Sequence, residues 1–414
     1  MRDDLSCVQD LSIRYAVKLI VKICLIAATH PPEICGVGDY TDQLAQAIEA
    51  EGHEVTILTT HRPVSHAYDT KIHVKLDVVS WDRSVLRFLL SEVKSEAYDV
   101  VHLQYTPGYY GRRTFMINCL PWLLRGLHGR PVFVTFHEIY TPILHGFRNI
   151  LLGMYDRIKD TVLLQGASAV ILTVPNRVQH LSSLFPWLQR RLYFIPVGTG
   201  ITVSSVTPSE QQAERARLGI QPDEWIVGSF GTLHTDRRYD TLFKTVRHLL
   251  DQGFCIRILL IGAYEEDHDY YAYLKKCIAD LGLEPYIIWT GFGTSVTISR
   301  WLALVDIYVM TDLRGASGRK SSLTTALAHG LPIISTRGRD TTPEFEHGKN
   351  ILLFDVDDEK ILGRHIIRLL HNHEERTHLR TGAQTLYTSK YAWGSIARST
   401  LKVYRNHNGP GAER

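Results

Sequence analysis

Apolar residues in this chain gather in short runs, each followed by a turn and then by a stretch with helical spacing. Val17, Leu19, Ile20, Val21, Ile23 and Leu25 read as a first strand buried on both faces, because apolar side chains occupy both alternations. A turn-rich loop follows. The spacing of Leu44, Ala47 and Ile48 then predicts a helix over 40–50, closed by Gly52. Further buried strands are predicted at 54–58, 100–104, 132–136, 169–173 and 191–195. A polar stretch at 198–222 breaks the alternation and reads as a linker carrying a short helix. The pattern then resumes, with strands at 225–230, 256–261, 287–290, 307–310, 332–335 and 351–354 and a mostly helical tail over 379–406. Residues 1–15 carry no clear pattern and read as an extension.

Strands alternating with helices predict parallel sheets with helices on both faces. The expected organisation is α/β, with two Rossmann-like doubly wound domains facing across a cleft. Residues 1–200 form the first, residues 201–385 the second, and 386–414 a last helix that crosses back to the first. Ligands of such sheets bind beyond the carboxyl ends of the strands.

Composition narrows the classes. The chain has 414 residues, 44% hydrophobic and 21% charged, with a formal net charge of +3. These are ordinary globular values, and the small charge speaks against nucleic acid as a partner. The six cysteines form no CxxC pair and read as reduced thiols, so a cytoplasmic location is expected. The apolar run at 16–28 is interrupted by Lys18 and Lys22, too short and too charged to span a bilayer.

The densest chemistry lies at 319–336. Arg319 and Lys320 precede a short helix that Ser321 or Ser322 can cap, Gly330 suits the left-handed position after it, and Pro332 ends it. Two cations beside the free amides of a helix start suit a diphosphate. A plain α/β crossover with a solvated basic loop uses the same residues. Gly36, Val37 and Gly38 lie ahead of the helix at 40–50, where backbone can approach a phosphate or sugar, or simply turn tightly. Asp39 is placed to cap that helix. His137 follows a buried strand at its carboxyl end, where a ligand-facing residue belongs. His30, His102 and His234 have weaker claims. Asp355 and Asp357 form an Asp-x-Asp, but capping of the next helix accounts for it better than a metal does. No metal is assigned, and no cofactor.

The order of motifs resembles the family 4 glycosyltransferases of the GT-B fold. The segments that carry it are Gly36-Val37-Gly38, Val100-Val-His-Leu-Gln104, Thr135-Phe-His-Glu138, Ile195-Pro-Val-Gly198, Gly228-Ser-Phe-Gly231 and Ala326-Leu-Ala-His-Gly330. The resemblance implies a retaining, metal-independent transfer of a hexosyl-type sugar from a UDP- or GDP-linked donor. The acceptor hydroxyl would belong to a saccharide, a lipid-linked molecule or a small molecule. It places His137 against the transferred sugar and Gly231 at the donor. The family often carries two glutamates eight positions apart, and here those places hold Ser317 and Thr325. The sequence looks like a branch without the pair, in which Thr325 would hold the donor ribose more weakly. The usual Arg and Lys after the second domain's first strand correspond to Thr232 and Arg237. Arg237 keeps the cation, and Arg319 is the candidate for the missing charge. Two alternatives share the fold: a sugar-nucleotide epimerase, which needs acid/base carboxylates, and a non-catalytic nucleotide-sugar binding protein. Arg112, Arg113, Trp122 and Arg125 suggest weak association with a membrane surface, although no amphipathic helix is evident from sequence.

Overall fold

The computed structural model describes residues 20–33, 35–60, 72–111, 115–139, 147–263 and 269–408. The chain divides into two compact units: one runs to Ile195 and takes up the chain again from Ala397, and the other is Pro196–Ile396. Each is built on one parallel sheet.

The strands of the first unit are β1 (Lys22–Ile26), β2 (Glu54–Thr60), β3 (His73–Val78), β4 (Val100–Tyr105), β5 (Val132–Phe136), β6 (Ala169–Leu172) and β7 (Leu192–Phe194). They lie in the order β3-β2-β1-β4-β5-β6-β7. Helices α1 (Gly36–Ala50), α2 (Arg83–Ser95), α3 (Met116–His128), α4 (Phe147–Gly166) and α5 (Pro175–Leu184) connect them. Cys24 pairs with Thr56 on one side and Val101 on the other, so β1 is central, and Ile23 to Ile26 are fully buried. Burial of each such side chain contributes about 1.5–3 kcal/mol. Winding runs outward both ways from β1 and β4, which makes the gap between their carboxyl ends the topological switch point.

In the second unit α6 (Pro208–Arg217) precedes the sheet. Strands β8 (Trp225–Phe230), β9 (Ile256–Ile261), β10 (Ile287–Trp289), β11 (Ile307–Met310), β12 (Ile333–Arg337) and β13 (Leu352–Asp355) follow the order β10-β9-β8-β11-β12-β13. Its helices are α7 (Tyr239–Asp251), α8 (Asp269–Asp280), α9 (Ser295–Leu302), α10 (Ser321–Ala328), α11 (Glu359–His371) and α12 (His373–Leu386), and α13 (Trp393–Asn408) ends the described chain. The switch point here lies between β8 and β11.

Several local expectations change. The first helix begins at Gly36, not at residue 40, so Gly36, Val37 and Gly38 form its first turn. Cys35 is its N-cap, without a side-chain cap bond, and Asp39 sits inside the first turn. Gly38 is closely packed: a Cβ there would lie 3.2 Å from both the His30 Cα and the Thr29 carbonyl oxygen, tighter than ordinary contact. Neither Ser321 nor Ser322 caps α10, because Lys320 occupies the N-cap in extended backbone. Edge strand β3 carries no long apolar run, since most of it is only partly covered. Asp357 accepts hydrogen bonds from Arg238 (2.8 Å) and Thr241 (3.0 Å), while Asp358 caps α11 through the Ile361 amide. Cys24, Cys35, Cys119, Cys255 and Cys277 are free thiols, and Cys7 lies outside the described residues.

Candidate functional site

Two adjoining cavities of about 390 and 400 Å³ open in the second unit, at the carboxyl ends of β8, β9 and β11. Both are lined by Thr232, Arg237, Arg319 and Lys320. The first also takes in His234, Asp312, Arg314 and Ser317, and the second Gly231, Gly262, Phe292, Ser321 and Ser322.

Glycine backbone lines part of the second cavity. Gly231 directly follows β8 with φ +127°, and Gly262 follows β9 with φ +132°. Those conformations suit glycine alone. A Cβ on Gly262 would lie 2.6 Å from the Gly231 carbonyl oxygen, and one on Gly231 would lie 3.0 Å from Nη2 of Arg237. Side chains here would collide with the Gly231 backbone and press on the Arg237 fork.

The walls carry cations. Arg237 donates from Nη1 to the Phe230 carbonyl at 3.3 Å and from Nη2 to Ser322 Oγ at 2.6 Å, which fixes the fork across the start of α10. Burial works against its charge, but Tyr239, Tyr308 and Asp312 outweigh that and hold its pKa above the ordinary arginine value. Lys320 donates to Asp312 Oδ2 at 2.6 Å, and Arg237 Nε approaches the same oxygen at 4.0 Å. Asp312 is only 2% exposed. Asp312 thus orders two cations; Asp236, paired with Arg314 at 3.0 Å, and Asp340 also line the first cavity, so its Arg237, Arg314, Arg319 and Lys320 face three acids. Arg319 is exposed, and its guanidinium has no side-chain partner among the described residues. The first amides of α10, at Ser321 and Ser322, have no carbonyl within the helix to bond and share this end. Such a set of cations and amides suits an anion with several oxygens.

Of the residues singled out from sequence, Gly231, Arg237, Ser317, Arg319, Lys320, Ser321 and Ser322 are brought together around these cavities. Ser317 is buried, with its Oγ 3.4 Å from the Arg319 amide. Thr325 lines neither cavity. It is 1% exposed, donating to the Ser321 carbonyl at 2.7 Å and lying 2.6 Å from Thr199 Oγ1. Asp312 and Arg314 were not foreseen. Asp312 stands two residues beyond β11 at the switch point, a place that follows from the strand order of the sheet.

In the first unit His137 follows β5, its amide bonded to the Tyr105 carbonyl at 3.0 Å. Its Nε2 lies 3.0 Å from Gln104 Oε1. An amide oxygen only accepts, so Nε2 carries the proton and Nδ1 is left as an acceptor. The Tyr40 ring packs edge-on, with centroids 4.7 Å apart. The imidazole keeps part of its surface, yet desolvation by the surrounding chain draws its pKa down to about 4. His102 is fully buried, between Tyr404 Oη (2.5 Å) on α13 and Thr135 Oγ1 (2.8 Å), and burial takes it to about 3. Gly36, Val37 and Gly38, in the first turn of α1, belong to this unit too and line neither cavity.

Comparison with known proteins gives two family matches: residues 34–202 match the model described as Glycosyltransferase Family 4, and residues 224–372 the one described as Glycosyl transferases group 1. A D-inositol 3-phosphate glycosyltransferase from Nocardioides sp. is 22% identical, over 94% of this chain and 91% of that protein. The alpha-monoglucosyldiacylglycerol synthase of Streptococcus pneumoniae is 21% identical, over 76% of this chain and 72% of that protein. Among solved structures, a glycosyltransferase from Rickettsia africae superposes with a TM-score of 0.73 at 14% identity, covering 95% of this chain and 100% of that one. HepE from Anabaena, in complex with UDP and glucose, superposes with a TM-score of 0.64 at 18% identity, covering 93% of this chain and 100% of that one.

Proposed function

We propose, on the premise that this chain belongs to the family 4 glycosyltransferases and has their GT-B fold, that it moves a sugar from a nucleoside-diphosphate donor to a hydroxyl acceptor with retention of configuration. The observation that carries the donor is the double cavity, where Arg237, Lys320 and Arg319 line both halves beside one helix start, with Lys320 and Arg237 held by Asp312. HepE, a structural neighbour, binds UDP, which favours a uridine donor and leaves GDP-linked donors to be tested.

In this reading the base enters beside Gly231, Gly262 and Phe292, and the diphosphate lies against Arg237, Arg319 and the α10 amides. The sugar extends toward Thr232 and Ser317. The bond between the anomeric carbon and the phosphate oxygen breaks as the acceptor oxygen bonds to the same face. The acceptor proton passes to the departing phosphate oxygen. Charge on the leaving group is the main burden of such a transition state, and the fixed cations and amides carry it without a metal ion. His137 is assigned to the transferred sugar: Nδ1 of a neutral imidazole accepts a hydrogen bond from a hydroxyl. A thermal-shift screen of nucleoside diphosphates in EDTA tests the reading, because a ligand that binds the folded state raises the melting temperature. A shift with UDP or GDP is expected, and no shift with any nucleoside diphosphate would contradict it.

A further inference from the structure

Helix α4 is turned the wrong way round for an ordinary surface helix. Ile150, Leu151, Leu152, Met154 and Ile158 are 44–55% exposed, while Lys159 and Asp160 are 2% and 0% exposed. The buried polar pair is fully used. Lys159 bonds Asp156 at 2.8 Å, its carbonyl accepts from Asn118 at 3.0 Å, and Asp160 accepts from Tyr105 Oη at 3.0 Å. Polar groups therefore anchor α4 to its own unit, and Leu163 and Leu164 finish the attachment. The apolar residues face away from the core.

They are also ordered. Ile150, Met154 and Ile158 recur at i, i+4 and i+8 with Leu151 beside them, so the four share one stripe about 100° wide. Leu152 stands on another side. Two exposed tryptophans attach to the last turns of the same helix: Trp122 donates to the Val162 carbonyl at 2.9 Å and Trp187 to Gln165 Oε1 at 3.1 Å. A run of large exposed apolar groups this long marks an interaction surface.

The charge nearby says which kind. Residues 147–195 hold six Lys and Arg against two acids, while the whole chain carries only +3. Those two acids are Asp156, paired with Lys159, and the buried Asp160. Arg157 on α4, Arg125 on α3 and Arg190 beyond α5 are exposed. An apolar stripe with tryptophan at one end and arginine at its flanks matches an anionic lipid surface, where apolar groups enter the headgroup boundary and cations meet phosphates. No described helix is long and apolar enough to cross a membrane, so α4 would lie in the interface rather than span it. We propose that the exposed stripe of α4, with Trp122 and Trp187, docks this protein on an anionic bilayer.

Flotation of the full chain with phosphatidylcholine vesicles, with and without phosphatidylglycerol, tests this. Wild type should float with the vesicles containing phosphatidylglycerol. Met154→Ser combined with Ile158→Ser should weaken that binding by about tenfold for each side chain withdrawn. Both residues are exposed, so the melting temperature should hold. Arg157→Glu should weaken binding most at low salt, and Val203→Ser, an exposed apolar site in the other unit, should leave it unchanged. A folded wild type that ignores the vesicles, or a double variant that floats as well as wild type, would overturn the proposal. So would a dimeric wild type that the double variant turns monomeric, because the stripe would then cover a second copy of the chain.

Discussion

Replacing Arg319 with alanine should weaken nucleoside-diphosphate binding about tenfold without disturbing the fold. The size follows from its surroundings. Arg319 lines both cavities, is exposed, and has no side-chain partner among the described residues, so its removal strands no buried group. A hydrogen bond to a charged group contributes about 1.5–3 kcal/mol, and solvent screening at an exposed site favours the lower end. About 1.4 kcal/mol is a factor of ten in affinity. Arg237 is a poorer probe. Its loss breaks bonds to Phe230 and Ser322 and leaves Lys320 as the cation held at Asp312, so binding and stability would fall together. Titration calorimetry with UDP and GDP in EDTA, on wild type, Arg319→Ala and Arg319→Lys, gives the answer. Lysine keeps the charge but not the fork and should fall between the other two. If Arg319→Ala binds within twofold of wild type at low salt, Arg319 does not touch the phosphates and the reasoning from its position fails.

Three other outcomes are expected. His137→Ala should lower turnover by roughly tenfold or more while nucleoside-diphosphate affinity stays constant, the pattern of a contact made mainly in the transition state; near wild-type turnover would remove His137 from the reaction. Transfer activity should survive EDTA, because in the proposed site Arg237, Lys320 and Arg319 would do the work of a cation; loss restored by Mn²⁺ or Mg²⁺ would return attention to Asp355 and Asp357. Acid should destabilise the fold through His102 and His137, whose folded pKa values of about 3 and about 4 lie below the usual 6.5. Their contribution is complete above about pH 6.5 and is lost on acidification toward about pH 4, at about 1.4 kcal/mol per pH unit for each histidine. A urea midpoint that stays level between neutral and mildly acidic pH would contradict this.

Both sheets were readable because their central strands are buried on both faces and appear as unbroken Val, Ile and Leu runs. β3 was not, because it is an edge strand whose His73, Lys75 and Asp77 alternate with apolar residues. The start of α1 was misread because Gly36 and Gly38 look like a turn, although Gly38 packs closely against His30. Lys320 takes the cap position that the serines seemed made for, and this leaves Ser322 to accept from Arg237. That contact joins residues 85 positions apart, which no local pattern reports. Arg319 and Lys320 were legible from their place before a helix. Asp312 was missed because its role depends on sheet order. The exposed face of α4 was hidden by its own composition: apolar residues around several sides dilute the periodic signal, and only burial shows that Lys159 and Asp160 point inward. Of the arginines that first suggested a membrane surface, Arg112 and Arg113 lie outside the described residues.

The most direct test of the account is nucleotide release from a panel of UDP- and GDP-linked sugars by the full chain in EDTA, with the products separated by chromatography. A transferase without its acceptor should slowly release free nucleoside diphosphate and sugar from at least one donor, and Arg319→Ala should slow that release. Conversion of the donor to a different nucleotide sugar, or no product from any donor, would contradict the assignment.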